Sequence, residues 1–346
     1  MILNLIFTIT FSFISFYFVK YLINLFKEKK ILVDENFLKP QSFHSDPTPL
    51  AGGLIIFIFF SILSSVIYFE IIVSKLYLFF FAMFIIGFLD DIKLVTNPFI
   101  RFFILLVITM FFIYFANLNI LNVGFWNLNL LLSNYLVSFI FTAFCILFVI
   151  NGSNFIDGFH GLLGIHSTII LIILSIINYL FGFFDISIFI FLFAISIIFF
   201  LLFNFPYGRV FLGDSGSYLL GCSIAVFSIK SSLINTEISP VFFAVLLYYT
   251  FFEVFFSYFR KIFYEKKSPF YPDKKHLHML VFQIMSKKYN NQRSNYTTSI
   301  INNLYYLISI LPVFLFYDNS YLCLLYFFIL IISYIVIYIR LIKYEK

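Results

Sequence analysis

The chain has 346 residues, of which 62% are hydrophobic and only 11% are charged, and its formal net charge is +6. A soluble domain carries about 25% charged residues, so this composition excludes one and indicates an integral membrane protein. Its apolar stretches are as long as membrane-crossing helices, which need roughly 17–25 residues. They predict an all-α polytopic bundle of transmembrane helices rather than a barrel.

The apolar stretches predict about 10 to 11 crossings within one transmembrane domain that covers residues 1–346. The predicted spans are 2–26, 50–69, 71–89, 99–116, 134–150, 165–181, 186–203, 211–229, 240–259, 300–317 and 319–342. The stretch 50–89 is too long for one crossing, so we expect a break near Glu70 or Lys75. Span 211–229 is the weakest of the set because glycine and aspartate open it.

The basic residues predict the orientation, because Lys and Arg accumulate in cytoplasmic loops. If the N-terminus is outside, nearly all of the 22 Lys and Arg residues fall on the inner side, many of them in a cytoplasmic loop at 260–297. The same arrangement brings Asp90–Asp91, 151–162 and 204–217 to that face. Such clustering indicates one site at the cytoplasmic face of the inner membrane.

Three acidic positions lie at the ends of apolar stretches, where a charge beside lipid is costly. Asp90 and Asp91 are adjacent carboxylates, which repel unless a cation or a proton lies between them, so a divalent metal is a natural partner. Alternatively, the pair simply ends a span. Asp214 stands at a helix N-terminus, where capping alone would account for it. The small residues around Asp214 would also let a phosphate or a metal approach the backbone.

The segment 151–162 is a glycine-punctuated polar break directly after an apolar run. Asn154 and Asp157 are three residues apart and share a face if the segment is helical. A plain loop would explain the glycines but not two amides and an acid so close to the membrane. Arg209 is either a positive-inside anchor or a phosphate contact.

The basic loop carries Lys275, His276 and His278. Two histidines without a nearby cysteine are a weak metal motif. A lysine beside two imidazoles suits an anionic phosphate better, although the loop taken alone also fits a solvated inner face or a headgroup-binding patch.

The order and spacing of these motifs resemble the polyprenyl-phosphate N-acetylhexosamine-1-phosphate transferase family, glycosyltransferase family 4. This family includes the enzymes that open common-antigen, O-antigen and teichoic-acid linkage synthesis, and the phospho-MurNAc-pentapeptide transferase. The matching pieces are Asp34, Lys39 and His44 before Pro49–Gly53; Gly87–Asp91; Asn151–Leu162; Asn204, Pro206 and Phe211–Ser217; and Asp273–His278. The Pro-x-x-Gly-Gly and His-x-His forms look closer to the common-antigen and teichoic-acid branch than to the pentapeptide transferase.

Two positions depart from the family pattern. His160 stands where the family most often has an acid, and Met279 stands where many relatives have another histidine. We therefore expect activity to be retained while nucleotide or sugar recognition differs.

The resemblance implies that a UDP-N-acetylhexosamine and undecaprenyl (polyprenyl) phosphate give polyprenyl-diphospho-sugar and UMP, with Mg²⁺ or Mn²⁺, as the initiating step of cell-envelope glycan synthesis. The implied catalytic residues are Asp90, Asp91, Asp157, Asp214 and His276. The implied substrate-binding residues are Lys39, His44, Asn151, Asn154, Asn204, Arg209, Lys275 and His278. The implied metal ligands are Asp214 and Asp91. Direct attack by the lipid phosphate is the preferred route, and a covalent aspartyl intermediate is the alternative.

Other classes of protein predict different patterns. A secondary transporter of an anionic solute would keep its acids near the membrane midplane, whereas these acids cluster at one face. A non-catalytic scaffold would not require the aspartates. We expect the bilayer as a partner and no nucleic acid. The choice of sugar, the polymer and the oligomeric state stay open, with a homodimer among the options.

Overall fold

The structure is a computed structural model that describes residues 2–29, 32–34, 47–65, 71–94, 97–268 and 273–345. Its α-helices are α1 (Ile2–Lys29), α2 (Gly52–Ser64), α3 (Ile71–Asp91), α4 (Pro98–Ala116), α5 (Trp126–Leu132), α6 (Tyr135–Ile156), α7 (Leu162–Leu180), α8 (Phe184–Asn204), α9 (Gly213–Ile234), α10 (Pro240–Leu246), α11 (Tyr248–Phe259), α12 (Leu277–Ser286), α13 (Asn291–Ile310) and α14 (Ser320–Glu345). A π-helical turn (Arg260–Tyr264) extends α11, and a 3-10 turn (Leu311–Phe316) extends α13. Strands β1 (Val33–Asp34) and β2 (Thr48–Pro49) form a short antiparallel pair.

Within the described ranges, seven helices are long and apolar enough to cross a membrane, or eight if the bent pair α10 and α11 forms one span. This confirms an all-α polytopic membrane protein, with fewer qualifying spans than the ten or eleven predicted. Helices α1, α2 and α3 coincide with predicted spans 2–26, 50–69 and 71–89 but are not among the seven, and α2 has only 13 residues. The N-terminus-outside orientation stays a prediction.

The predicted span 240–259 is not one straight helix. Helices α10 and α11 meet at Leu247 with a bend of 69°. The Tyr306 hydroxyl donates to the Leu246 carbonyl at 2.7 Å, so the carbonyl at the break has a partner. A backbone carbonyl without a partner is costly in a membrane interior, so this bond stabilises the bent form.

The predicted 260–297 loop is largely helical. It contains the π-helical turn, α12 and the first turns of α13, and α13 begins at Asn291 rather than near the predicted position 300. Hydroxyl groups in the first turns of α13 bond to the helix backbone. Thr298, for example, donates to the Ser294 carbonyl at 2.7 Å.

Helix α9 lies at the centre of the bundle. It is the most buried of the seven candidate spans in the described ranges, with 78% of its apolar stretch buried inside the protein. It contacts α2, α3, α6 and α7. Rings from α2, α3, α8 and α9 pack together beside it, namely Phe60, Phe80, Phe189, Phe193 and Phe227. The glycines that made this span look weak in the sequence therefore serve helix-helix contact, since small residues let membrane helices approach closely.

The glycine-rich starts of α2 and α9 pair through their backbones. Phe211 donates its N–H to the Pro49 carbonyl at 2.9 Å, and Gly52 donates to the Phe211 carbonyl at 2.9 Å. Gly53 donates to the Leu212 carbonyl at 3.0 Å, and a Cβ on Gly53 would lie 2.5 Å from the Gly216 nitrogen. The Pro-x-x-Gly-Gly motif thus places α2 directly against the segment that precedes α9.

We predict that Gly87→Ala destabilises the protein. A Cβ on Gly87 would overlap the backbone of Asp214 and Ser215, which cannot swing away as a flexible side chain would. Overpacking of this kind costs about 1–3 kcal/mol. The melting temperature in detergent should fall, while Gly158→Ala, whose Cβ would meet only the His278 ring at an ordinary 3.9 Å, should leave it nearly unchanged. Equal melting temperatures for both variants would contradict this packing.

Candidate active site

Asp91 at the end of α3 caps the N-terminus of α9. Its Oδ1 accepts the N–H of Asp214 at 2.7 Å, and its Oδ2 accepts the N–H of Ser215 at 3.0 Å. These N–H groups have no partner within their own helix, and a carboxylate also complements the helix dipole. Gly213 adopts a φ of +75°, and a Cβ there would lie 2.7 Å from Asp91 Oδ2. Only glycine suits this position.

Arg101 near the start of α4 lies beside two other aspartates. Its Nη1 donates to Asp90 Oδ2 at 2.6 Å and lies 4.0 Å from Asp214 Oδ2. The Tyr218 hydroxyl donates to the same Asp90 oxygen at 3.2 Å. The Asp214 side chain is 32% exposed and that of Asp90 is 8% exposed. Asp214 therefore presents the more accessible carboxylate.

The end of α6 contributes Asn154 and Asp157 to the same cluster. Asn154 Nδ2 donates to Asp214 Oδ1 and, at 3.0 Å, to Ser217 Oγ. Burial raises the pKa of the Asp157 carboxyl well above its usual range, and the negative charges of Asp214 and Asp91 raise it further. The structure thus brings Asp90, Asp91, Asp157 and Asp214 together, as the sequence predicted.

His276 and His278 lie next to residues 154–158, which form the end of α6 and the turn after it and are called the 154–158 turn below. Their rings are nearly parallel, with centroids 5.5 Å apart. Phe155 contacts the His276 ring edge to face at 5.4 Å, and a Cβ on Gly158 would lie 3.9 Å from His278 Nε2. Both ring nitrogens of His278 are buried without a hydrogen-bond partner. Both nitrogens therefore keep their hydrogen-bonding capacity in this structure.

Four other side chains of the basic loop form an ion network. Arg260 donates to Glu265 Oε1 and to Asp273 Oδ2, each at 2.8 Å, and Lys275 Nζ donates to Glu265 Oε1 at 2.8 Å. Burial alone would raise the pKa of the Glu265 carboxyl, but the hydrogen bonds from Lys275 and Arg260 outweigh it and lower that pKa. The Lys275 cation is therefore already paired in this structure.

Several predicted substrate residues make structural contacts. Asn204 accepts the Gly161 N–H at 2.6 Å and donates to the Val210 carbonyl at 2.7 Å, which ties two loops together. Asn151 donates within its own helix, to the Leu147 carbonyl at 2.8 Å. Arg209 is exposed, with its guanidinium 5.9 Å from the centre of the Tyr207 ring. The predicted ligands Lys39 and His44 lie outside the described residues.

The sequence prediction missed three residues that the structure places in or beside the site, namely Arg101, Tyr218 and Glu253. In the sequence, Arg101 is one of many basic residues that the positive-inside pattern assigns to the inner side. Glu253 is an acid within the predicted span 240–259, and its contact with His276 depends on the fold. The one signal in the sequence that could have identified Glu253 is that it is an acid inside an apolar span.

The acidic cluster fits a divalent cation. Carboxylate oxygens are the ligands that Mg²⁺ prefers, and it is commonly held by one or two carboxylates with water and substrate phosphates. Among the described residues, no group of three His, Cys, Asp or Glu side chains forms a ready-made ligand set. Asp214, accessible and close to a second acid, suits the role, whereas both oxygens of Asp91 already accept N–H groups.

We predict a pH-dependent stability contribution from His278. Burial lowers its pKa from 6.5 to about 3, so the folded protein holds it neutral while the unfolded chain takes up a proton below pH 6.5. Its contribution is therefore present above pH 6.5 and is lost as the pH falls towards 3. Melting temperature should decline less steeply between about pH 6.5 and pH 4 in His278→Gln than in the wild type. Parallel curves would exclude this contribution.

Residues 73–232 match the family model described as glycosyl transferase family 4. The chain is 41% identical over 85 residues to an undecaprenyl-phosphate alpha-N-acetylglucosaminyl 1-phosphate transferase of Thermotoga maritima, which covers 25% of this chain and 28% of that relative. It is 31% identical over 234 residues to a phospho-N-acetylmuramoyl-pentapeptide-transferase of Dictyoglomus turgidum, which covers 63% and 71% of the two chains.

A third relative is a probable undecaprenyl-phosphate N-acetylglucosaminyl 1-phosphate transferase of Bacillus subtilis, 28% identical over 244 residues, with 68% of this chain and 66% of the relative covered. Relatives of both branches thus match, and the closer likeness to the common-antigen and teichoic-acid branch stays a prediction. The matched region contains Asp90, Asp91, Asp157 and Asp214. With more than two thirds of the Dictyoglomus relative covered, the chain belongs to glycosyl transferase family 4, the polyprenyl-phosphate N-acetylhexosamine-1-phosphate transferase family that its motifs resemble.

Proposed function

We propose that the protein transfers a sugar-1-phosphate from a UDP-N-acetylhexosamine to undecaprenyl phosphate at the cytoplasmic face of the inner membrane. The observation that carries this proposal is the acidic cluster at one end of a lipid-embedded bundle. A polyprenyl tail stays in the bilayer, whereas a nucleotide sugar stays in water. Only a site at the interface reaches both, and Asp90, Asp157 and Asp214 lie where α3, α6 and α9 meet that end.

The reaction joins one phosphate to another. An oxygen of the lipid phosphate forms a bond to the phosphorus that carries the sugar, and the bond from that phosphorus to the UMP oxygen breaks. The lipid phosphate has its second pKa near 6, so at neutral pH most of it is already a dianion. Asp90, held in place by Arg101 and Tyr218, positions this nucleophile and accepts a proton from the minority that carries one.

The main barrier is repulsion between the attacking phosphate and the diphosphate. A bound Mg²⁺ or Mn²⁺ supplies charge neutralisation at the diphosphate. We assign metal binding to Asp214. We assign Asp91 a supporting role, because it holds the Asp214 backbone through the α9 cap. Arg101 adds a fixed positive charge to the same space. No step requires a phospho-enzyme, so direct transfer remains our preferred route.

The 154–158 turn separates the acidic cluster from the two histidines, which suits a nucleotide sugar that spans both. Asn154 bonds to Asp214 of the acidic cluster, whereas Phe155 and Gly158 lie next to His276 and His278. We assign His276 and His278 to the donor nucleotide and its phosphates. Lys275 would join them by leaving Glu265, since its side chain is 51% exposed.

An apolar cavity of about 340 Å³ among α6, α9, α10 and α11 offers a place for part of the lipid tail. Its lining includes Cys145, Val149, Ala225, Phe243 and Phe251. Aromatic contacts between α6 and α11 continue from the cavity towards the turn, with Phe155 and Tyr258 centroids 6.1 Å apart. A transporter of anionic solutes would instead line its interior with polar groups.

We predict that Asp214→Asn abolishes UMP release from the purified protein supplied with undecaprenyl phosphate, Mg²⁺ and a panel of UDP-N-acetylhexosamines. The wild type should release UMP with at least one sugar, only when the lipid is present, and should stop on chelation. Asp185→Asn, the same change at an exposed residue in the first turn of α8, should retain activity. Solute uptake by proteoliposomes without UMP release from any sugar would move the protein to the transporter class.

We predict that Asp90→Asn and Asp91→Asn fail in different ways. Asn at 91 keeps one acceptor but turns an NH₂ group towards the second N–H of α9, which leaves a buried donor unsatisfied at about 1–3 kcal/mol. This variant should lose melting temperature as well as turnover. Asn at 90 keeps an acceptor for Arg101, so turnover should fall while melting temperature changes little. Equal losses of melting temperature would show that Asp91 has no special capping role.

A further inference from the structure

Glu253 on α11 is an acid buried away from the acidic cluster. It is 1% exposed. Its Oε1 accepts His276 Nδ1 at 2.8 Å and the Leu277 N–H at 3.3 Å, and its Oε2 accepts the Tyr334 hydroxyl at 2.6 Å. The carboxylate thereby joins three parts of the chain, namely α11, the start of α12 and α14.

The partners of Glu253 indicate its charge state. A protonated carboxyl would turn an O–H towards one of these three groups, whereas an ionised carboxylate accepts from all of them. A buried carboxylate needs a positive partner to offset its desolvation. Among the groups that bond to Glu253, His276 is the one able to carry positive charge. The two side chains therefore form a buried hydrogen-bonded pair, in which a proton on each ring nitrogen would supply the charge that offsets the burial of the carboxylate.

The hydrogen bond to Glu253 determines which edge of the His276 ring is free. Nδ1 is committed to Glu253, because the carboxylate can only accept. Nε2 lies 3.8 Å from Asp273 Oδ1, beyond hydrogen-bond distance. Asp273 is itself engaged, through the Lys275 N–H at 3.0 Å and Arg260 at 2.8 Å. Phe155 and His278 enclose the ring, so its orientation is fixed and Nε2 is left for a ligand.

We propose that Glu253 is a positioning residue for the transfer reaction, which holds the His276 ring through Nδ1–H so that a proton on Nε2 is directed at a phosphate of the donor substrate. The inference rests on the proposed function, in which His276 contacts the nucleotide phosphates. A carboxylate that orients a histidine from behind fixes both the ring and its protonated nitrogen. Tyr334 donates to the opposite oxygen of Glu253 and so restrains the rotation of the carboxylate.

The test is a double-mutant cycle on the full-length protein in nanodiscs, with UMP release as the first readout. Glu253→Gln should lower kcat/KM for the UDP-sugar by roughly 10- to 100-fold, the usual cost of losing such a partner. Glu253→Asp should recover part of the loss. Tyr334→Phe should lose less, because the bond to His276 remains. Glu237→Gln, the same change at an exposed acid in the α9–α10 connection, is the matched control.

The cycle separates positioning from a general structural role. If Glu253 acts through His276, Glu253→Gln should add little loss in a His276→Gln background, because the shared interaction is already gone. Additive losses, or wild-type kinetics for Glu253→Gln, would overturn the proposal.

The second readout does not depend on activity. ¹⁵N-histidine NMR reports which ring nitrogen is protonated, the chain has 5 histidines, and His276→Gln identifies the relevant signals. Glu253→Gln should change the His276 signals while Glu237→Gln leaves them unchanged. Unchanged His276 signals in Glu253→Gln would also overturn the proposal. If the wild type releases no UMP, the proposed function fails, and the NMR comparison still decides whether Glu253 holds the ring.

Discussion

The cap that Asp91 places on α9 is the interaction on which the site depends. A helix that begins inside a bundle leaves N–H groups without partners, and water is scarce there to satisfy them. Here the carboxylate from the end of α3 accepts two of these groups. Hydrogen bonds to a charged acceptor contribute about 1.5–3 kcal/mol each. The bonds fix α3 against α9, and the Asp214 side chain, freed from capping its own helix, is left for ligands.

Close backbone contact makes this cap possible. Gly213 must adopt a positive φ and must lack a side chain, because Asp91 occupies the space where a Cβ would lie. Gly53 and Gly87 remove side chains from the two helices that lie against the same turn. Three motifs that are far apart in the chain thus serve one contact. Their glycines are required because the helix backbones approach closely there. The chemistry comes from the acidic residues of these motifs.

Charge balance explains how so many ionisable groups persist at the end of an apolar bundle. Arg101 neutralises part of the acidic cluster, Arg260 pairs with Glu265 and Asp273, and Lys275 pairs with Glu265. Glu253 accepts a hydrogen bond from His276. A buried charge without such a partner would cost several kcal/mol. The two departures from the family pattern also have structural partners. His160 donates from Nδ1 to the Pro206 carbonyl at 3.1 Å, and Met279 is 1% exposed in the core.

The sequence by itself determined the class of protein, most helix positions and the choice of four aspartates as candidate site residues. The reason is that the length of apolar stretches and the cost of a charge beside lipid can be read directly from the order of residues. It also indicated that these acids share one end, since basic residues mark alternate loops. Only the tertiary structure decided which acid caps a helix and which acid is accessible to a ligand. Whether Asp91 caps a helix or binds a metal depends on α9, 123 residues away in the chain. The bend at Leu247, the helical form of the basic loop and the Glu253–His276 pair likewise arise from contacts between distant segments, and local hydrophobic periodicity carries no information about such contacts.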